Sequence, residues 1–341
     1  MIDFTGFYKS CNLCPRNCGI NRYTGSGRCG EGVELRLGCA SIHRGEEPPI
    51  TGTGGSGTIF VSGCNLGCVF CQNYQISRPA FLQNIPAGIH GKKPPLGCVV
   101  HTEEFVLICK ALQERGAENI NIVTGSHAIP AIAAGIDAAR NNGVHIPVLW
   151  NTSSYENPEA LELLRNRVDI FLPDLKILDA EIAGRFFNAP DYPQAAAAAI
   201  LKMLELTGSP ENTGGRADRV IIRHLILPGF LELTRQVLQW FAANVQGKAL
   251  LSLMTQYTPP SDNSRACYCA ALPAGIPMRY VNKAEYETVL GWLDEFGIED
   301  GYCQELVTGS DWLPDFNRTN PFSSELSKPV WHWSCGFLGN R

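Results

Sequence analysis

The sequence predicts an α/β fold: a partial barrel of six strand–helix units around a parallel sheet, preceded by a cysteine-rich extension. Three observations lead there. Between residues 58 and 299, apolar, β-branched runs alternate with stretches of helical period, the order a parallel sheet with crossover helices requires. With 341 residues, 45% of them hydrophobic, the chain can bury one sizeable α/β domain and a smaller appendage. Residues 1–57 are instead rich in Gly and Cys and show little periodicity.

The extension ends in the connector PPITGTGGSG (48–57), which runs into the first barrel strand, TIFVSG (58–63). Its glycines do not read as a phosphate loop, because no Lys-Ser/Thr pair follows and the strand comes after them. Further strands are expected at NINIVTG (119–125), IPVLWNTS (146–153), VDIFLPDL (168–175), DRVIIRHLIL (218–227) and ALLSLMTQY (249–257). Helices fall near 102–115, 128–142, 157–166, 192–207, 231–246 and 283–296. In the third, PEALELLRNR has an amphipathic period, and Pro158 suits the first turn, where its missing N–H costs nothing. The run AAAAA (195–199) continues the fourth. Residues 300–341, including DWLPDFNRTNPF, are aromatic and proline-containing and are expected to fold over one end of the barrel. The chain thus divides into a cysteine-rich region (1–57), a core barrel (58–299) and a capping extension (300–341).

Directly after the first strand, Cys64, Cys68 and Cys71 stand in SGCNLGCVFCQNY. Three thiolates on one tight loop can ligate three irons of a cubane 4Fe-4S cluster and leave the fourth iron open for chemistry. Gly63 and Gly67 let the backbone fold closely around such a cluster. This setting favours a cluster over a zinc site or a set of buried thiols. The chain has 14 cysteines in all, which a reducing compartment explains as metal ligands and buried thiols better than as disulfides. Cys11, Cys14, Cys18 and Cys29 supply four soft ligands, enough for a zinc ion or an auxiliary iron–sulfur cluster. Their spacing does not choose, although zinc ribbons usually pair two CxxC knuckles and only the first pair here is CxxC. Cys109, in EEFVLICKAL, reads as a core residue, while Cys39 and Cys98 are ambiguous. Cys267, Cys269, Cys303 and Cys335 would form a further site only if three separate segments converged. His101, His127, His145, His224 and His332 make no HExxH constellation; His127 and His224 fall near strand ends, where hydrogen-bonded wall residues are the usual outcome.

A net charge of -5 leaves no basic stripe, so nucleic acid is not an expected partner. The N-terminal MIDFTGFYKSCNLC lacks the apolar core of a signal peptide and no run approaches a membrane span, so a cytoplasmic protein without membrane contact is expected.

The CxxxCxxC run resembles the signature of the radical S-adenosylmethionine (SAM) superfamily. The resemblance implies that SAM chelates the open iron, that one electron from the reduced cluster cleaves its sulfonium, and that a 5′-deoxyadenosyl radical abstracts hydrogen from substrate. CVFCQN, with Asn73 two positions after the third cysteine, is similar to the CxYCHN run of pyruvate formate-lyase activating enzymes. The wider set CNLCPRNCGINR (11–22), EEPPITGTGGSGTIFVSGCN (46–65), CQNYQIS (71–77), IFLPDLK (170–176), IRHLILPG (222–229) and PDFNRTNPF (314–322) looks like the PflX-like branch of their homologues. That resemblance implies a partial (β/α)6 TIM-like barrel of the radical SAM type, with SAM at the carboxyl ends of the strands. Related enzymes hold the SAM amino group with a GGE-like run after the second strand. Here the run is Thr124-Gly125-Ser126-His127, without the acidic member; the carbonyls of Thr124 and Gly125 could still accept from the ammonium, and Ser126 is grouped with them.

By the same resemblance, Asp174 and Lys176 match a DLK run, with the Asp holding ribose hydroxyls and the Lys neutralising the SAM carboxylate. The alternative for that pair is an exposed loop ion pair. Arg223 is similar to the first residue of an RxxxxPG run and is read as an anion contact with SAM or substrate, against a structural salt bridge. Phe70 is expected to pack near the adenine. Gln256 and Tyr257 replace a histidine-bearing run of the activating enzymes. The expected function is a radical SAM oxidoreductase, activase-like on a protein (glycyl) substrate and served by an electron donor such as flavodoxin or ferredoxin. A radical SAM enzyme acting on a small molecule and a non-catalytic iron–sulfur electron-transfer protein are the alternatives.

Overall fold

The computed structural model describes residues 6–77, 96–208, 217–260, 275–307, 309–310 and 312–339. The chain opens its sheet with β1 (Arg36–His43) and β2 (Ser56–Val61), and a two-residue β3 (Cys98–Val99) pairs with β1. There follow β4 (Ile120–Val123), β5 (Val148–Thr152), β6 (Ile170–Pro173), β7 (Ile221–Leu225), β8 (Leu250–Met254), β9 (Gly301–Cys303), β10 (Ser327–His332) and β11 (Gly336–Phe337). One sheet runs β11-β10-β1-β2-β4-β5-β6 and a second runs β7-β8-β9. Bridges Phe171↔Val220 and Asp174↔Arg223 carry β6 across to β7, so that β2 and β4 to β9 form one parallel series. Among the described residues no ladder closes β9 onto β1, and the barrel is partial.

The six expected strands are β2 and β4 to β8. Their residues are buried on both faces, as helices on the outside of a filled barrel demand. The strands outside the expectation have physical explanations. β1, RLGCASIH, is rich in small residues without alternation, yet it is an interior strand, antiparallel to both β2 and β10. β10 comes from the far C-terminus, and only the folded chain brings it there.

The helices are α1 (Gly6–Lys9), α2 (Pro48–Thr51), α3 (Tyr74–Ser77), α4 (Thr102–Glu114), α5 (Ile129–Asn141), α6 (Pro158–Leu161), α7 (Ala180–Phe187), α8 (Tyr192–Thr207), α9 (Leu231–Asn244) and α10 (Lys283–Glu295). α4 turns Phe105, Ile108, Cys109 and Leu112 inward, and Gly135 of α5 gives Phe105 room: a Cβ there would stand 2.8 Å from its ring. α6 is shorter than the expected 157–166, since Glu162–Leu164 continue as a 3₁₀ turn. That tighter turn buries Leu161, Leu163 and Leu164 together, which one α-helical face does not. α7 was not expected; Asp179 caps it by accepting from the Ile182 N–H, and its last residues, Phe186 and Phe187, are fully buried. α10 begins with a capping box between Asn282 and Glu285. No helix among the described residues is long and apolar enough to cross a membrane.

Candidate active site

At the end of β2 the chain enters the loop that carries the three closely spaced cysteines. Gly63 (φ 87°) and Gly67 (φ 78°) both take the left-handed conformation that bends this loop, and a side chain at Gly63 would collide with Glu31. The loop is tied down by Gly63 N–H donating to Ile76 O (2.7 Å) and Val69 N–H to Phe186 O (3.1 Å). Cys64, Cys68 and Cys71 all line one cavity of about 340 Å³ at the carboxyl ends of the parallel strands. Leu66 N–H points to Cys64 Sγ (3.4 Å), and the Ser77 hydroxyl lies 3.1 Å from Cys71 Sγ. Burial raises the thiol pKa of Cys64 and of Cys68, and at Cys68 the Lys176 charge opposes this.

Asp174 and Lys176, at the end of β6, line the same cavity and form an ion pair with each other. Burial works against the Lys176 ammonium, but the charges of Asp174 and Cys68 outweigh it and hold its pKa well above the usual lysine value. The reading of this pair as an exposed loop contact does not hold, because both side chains are about one-fifth exposed and face the cysteines. Tyr192 braces their backbone, its hydroxyl donating to Asp174 O and accepting from Lys176 N–H, each at 3.0 Å.

Thr124 (φ 62°), Asn73 and Phe70 also line the cavity. Phe70 sits edge-on to Phe186, Phe187 and Tyr257 with ring centres about 6 Å apart, which makes a rigid apolar wall. Gly125 and Ser126 are not among the lining residues. The Gly125 carbonyl accepts from Ala128 N–H (2.8 Å), and a Cβ on Gly125 would meet Trp150 at 2.5 Å, so its role is packing. Ser126 is fully buried and donates its hydroxyl to Glu156 (2.7 Å). A carboxylate therefore does reach this turn, but from the loop after β5, where nothing in the local pattern announces it. Glu156 also accepts from Trp150 Nε1 (3.2 Å) and from Thr152, and burial pushes its pKa up against those hydrogen bonds.

Arg223 lines the cavity, but its guanidinium is committed: Nε donates to Glu47 Oε1 (2.8 Å) and Nη2 to Glu46 and Glu47. Of the two readings of Arg223, the structural salt bridge is the one the geometry contains. The histidines are wall residues. His127 Nε2 meets Ser62 O at 2.9 Å, and burial together with Arg22 lowers its pKa to about 3. His224 bridges Leu175 O and Thr234 Oγ1, and burial lowers it to about 4, so both are neutral. Residues not named as site candidates from the sequence complete the cavity: His43, Glu46, Asn151 and Gln304, with Trp312, Pro314 and Phe322 from the C-terminal segment expected to fold over the barrel. Gln256 lines it too, while Tyr257 donates to Pro277 O (2.7 Å) and backs Phe70.

The remaining cysteines separate by environment. Cys39 and Cys109 are buried core thiols, and Cys98 is half-buried on β3. Cys303 on β9 and Cys335 in the β10–β11 turn are exposed, and Cys267 and Cys269 lie outside the described residues.

A family profile for the radical SAM superfamily matches residues 58–235, from β2 into α9. The chain belongs to the radical SAM superfamily. Membership implies a 4Fe-4S cluster, SAM and radical chemistry, and the donor set of this cavity fits a cluster: three thiols line it and no fourth described cysteine does. The uncharacterized Methanocaldococcus jannaschii protein MJ0674 is 30% identical over 269 residues, covering 76% of this chain and 72% of that one. Among solved structures, Streptococcus suis SuiB bound to precursor peptide SuiA is 12% identical with a TM-score of 0.45, over 71% of this chain and 46% of SuiB. Escherichia coli QueE is 16% identical with a TM-score of 0.37, over 70% of this chain and 89% of QueE. The chain thus spans less than half the length of SuiB.

Proposed function

We propose that Cys64, Cys68 and Cys71 ligate the 4Fe-4S cluster and that SAM lies between it and the Asp174–Lys176 pair. When bound and reduced, the cluster would supply one electron for cleavage of the SAM sulfonium to methionine and a 5′-deoxyadenosyl radical, which would abstract hydrogen from substrate. The observation that carries this reading is Lys176: a mostly buried cation in the cysteine-lined cavity, matched by Asp174, is poised for the SAM carboxylate. Asp174 then turns to the ribose hydroxyls, Phe70 packs against the adenine, and Asn73 and Thr124 complete the polar contacts. Arg223 stays with Glu46 and Glu47 and shapes the cavity floor. In this reading residues 58–299 are the catalytic barrel, flanked by 1–57 and 300–341, and a one-electron donor of the flavodoxin or ferredoxin kind serves the cluster.

The substrate side is an activase-like role on a protein, in keeping with the PflX-like motifs. A second cavity of about 450 Å³ shares Glu46, Arg223, Met254, Gln256 and Gln304 with the first and runs along the unclosed seam at β9. Such a lateral opening admits an extended peptide segment. Trp312, Pro314 and Phe322 roof the first cavity, and this favours a small molecule as the second reading.

The test is anaerobic reconstitution, then dithionite and SAM, with 5′-deoxyadenosine assayed in wild type and in a Cys64→Ala/Cys68→Ala/Cys71→Ala variant. Nucleoside from wild type alone is the expected result; a reconstituted wild type that binds no SAM and forms none refutes the reading. For the substrate, a glycine-centred EPR signal on a co-expressed glycyl radical protein is expected only when this chain is present. Its absence with SAM cleavage intact moves the small-molecule reading ahead.

A further inference from the structure

We infer that Cys11, Cys14, Cys18 and Cys29 ligate a second 4Fe-4S cluster, closed by four thiolates and seated against the loop of Cys64, Cys68 and Cys71. The site stands without the function proposed above; its use as an electron relay rests on that reading.

The cysteine-rich region is held by side-chain and isolated backbone hydrogen bonds instead of by secondary structure. From Ser10 to Leu35 there is no helix and no strand, yet the stretch is folded back on itself and its cysteines are turned inward. Cys11 N–H donates to Ile20 O and Gly19 N–H to Cys11 O, both at 2.9 Å, which closes a ring around the first three cysteines. Asn17 (φ 41°) makes the turn that returns the chain to Cys18. Cys11, Cys14 and Cys29 are buried, and Cys18 is half-buried. A metal centre is the ordinary way for so small an irregular segment to hold one conformation.

A Cβ on Gly27 would stand 3.2 Å from Cys29 Sγ and 3.9 Å from Cys18 Sγ, so the bare glycine leaves the space beside both sulfurs open. Arg28 N–H points to Cys18 Sγ (3.4 Å), the kind of amide contact that thiolates at clusters receive.

Arg22 is 2% exposed and its Nε has no hydrogen-bond partner; the buried Glu31 carboxylate feels its charge but is shared with Arg36 and stands outside ion-pair distance of Arg22. Its guanidinium donates to the carbonyls of His127 and Gly32 and lies over the Tyr8 ring, close enough for its charge to act on Cys29. A buried cation needs a counter-charge, and a cluster with four thiolates carries net negative charge.

Position decides between iron and zinc. The Asn65 side chain is near enough to Cys14 to lower its thiol pKa against burial, and Asn65 follows Cys64 directly. Between Cys14 and Cys18, Arg16 donates to Asn65 O (3.1 Å), Leu66 O (3.2 Å) and Phe187 O (3.0 Å), clamping the two cysteine loops together. A zinc staple gains nothing from that neighbour. A redox centre does: one electron from a flavodoxin- or ferredoxin-class donor would reduce it, and the same electron would pass to the SAM-side cluster, with no proton moved because all four sulfurs stay ligated.

The full chain is reconstituted anaerobically with iron and sulfide in wild type, in the Cys64→Ala/Cys68→Ala/Cys71→Ala variant and in a Cys11→Ala/Cys14→Ala variant. Iron, sulfide and zinc per chain are measured, with EPR spectra of the dithionite-reduced proteins. The expected result is about eight irons in wild type and about four in each variant. Spin–spin broadening is expected in wild type and lost in both variants. The variant without Cys64, Cys68 and Cys71 keeps the quartet intact, so its metal content decides the question even if the quartet variant does not fold. Zinc, or no metal, in that variant overturns the inference; two unbroadened signals in wild type overturn the relay. No SAM is present, so failure of the SAM-cleaving reading leaves these outcomes unchanged.

Discussion

Replacing Arg223 with leucine removes the cation that two buried carboxylates share. Glu46 and Glu47 reach it from the turn after β1, and their side chains are 12% and 6% exposed, so water cannot take over the role. Breaking a buried pair by deleting one partner costs about 3–5 kcal/mol. Taking an unfolding entropy of about 2.1 cal/mol/K per residue over a chain of this length, the thermal midpoint should fall by about 4–7 °C. The pH dependence gives the prediction its sign. In wild type, burial alone would raise the Glu47 pKa, but Arg223 outweighs it and holds it below the ordinary 4.5. That contribution is present above pH about 4.5 and is lost as pH falls through the lowered value. In the variant burial acts on the orphaned Glu47 carboxylate unopposed and raises it instead, and the carboxylate is relieved by protonation as pH falls. The gap between wild type and variant should therefore narrow from pH 7 towards pH 4. Adding Glu46→Gln and Glu47→Gln to Arg223→Leu should recover much of the loss. Thermal scans at several pH values are the assay. A shift below about 1 °C, or a gap that does not change with pH, would refute the assignment of Arg223 to this ion pair.

Three other perturbations follow from the site. Gly63→Ala places a Cβ 2.6 Å from Glu31 Cγ in a left-handed backbone, and should lower both stability, by about 1–3 kcal/mol, and the iron retained after reconstitution; unchanged iron content would contradict it. Lys176→Met removes a charge-assisted contact worth about 1.5–3 kcal/mol, so SAM should bind roughly 10- to 150-fold more weakly by equilibrium dialysis while iron content is retained. Glu156→Gln concerns a carboxyl whose pKa burial raises: wild type has the full benefit of the neutral form below pH about 4.5 and loses it as pH rises through the folded value. The glutamine variant should therefore flatten the loss of stability as pH rises above about 4.5, and denaturant midpoints that run parallel to wild type would count against it.

What near neighbours govern was legible in the chain. Six strands were read from apolar runs, and the CxxxCxxC loop from covalent spacing, since both depend on residues a few positions apart. The positions of Asp174 and Lys176 followed from their place at a strand end, because side chains there point to the barrel mouth whatever the rest of the fold does. The tertiary structure decided what depends on distant segments meeting. Small-residue β1 becomes an interior strand only because β10 arrives from the C-terminus to cover it. Ser126 turns from the cavity because Glu156 waits behind it, and Arg223 is held by Glu46 and Glu47, 176 residues away in the case of Glu47. The N-terminal cysteines could be counted in the sequence, but their seat against the SAM-side loop rests on Arg16 reaching the carbonyls of Asn65 and Phe187. Local propensity and spacing carry no information about such long-range pairings, which are set by burial and charge compensation in the folded chain.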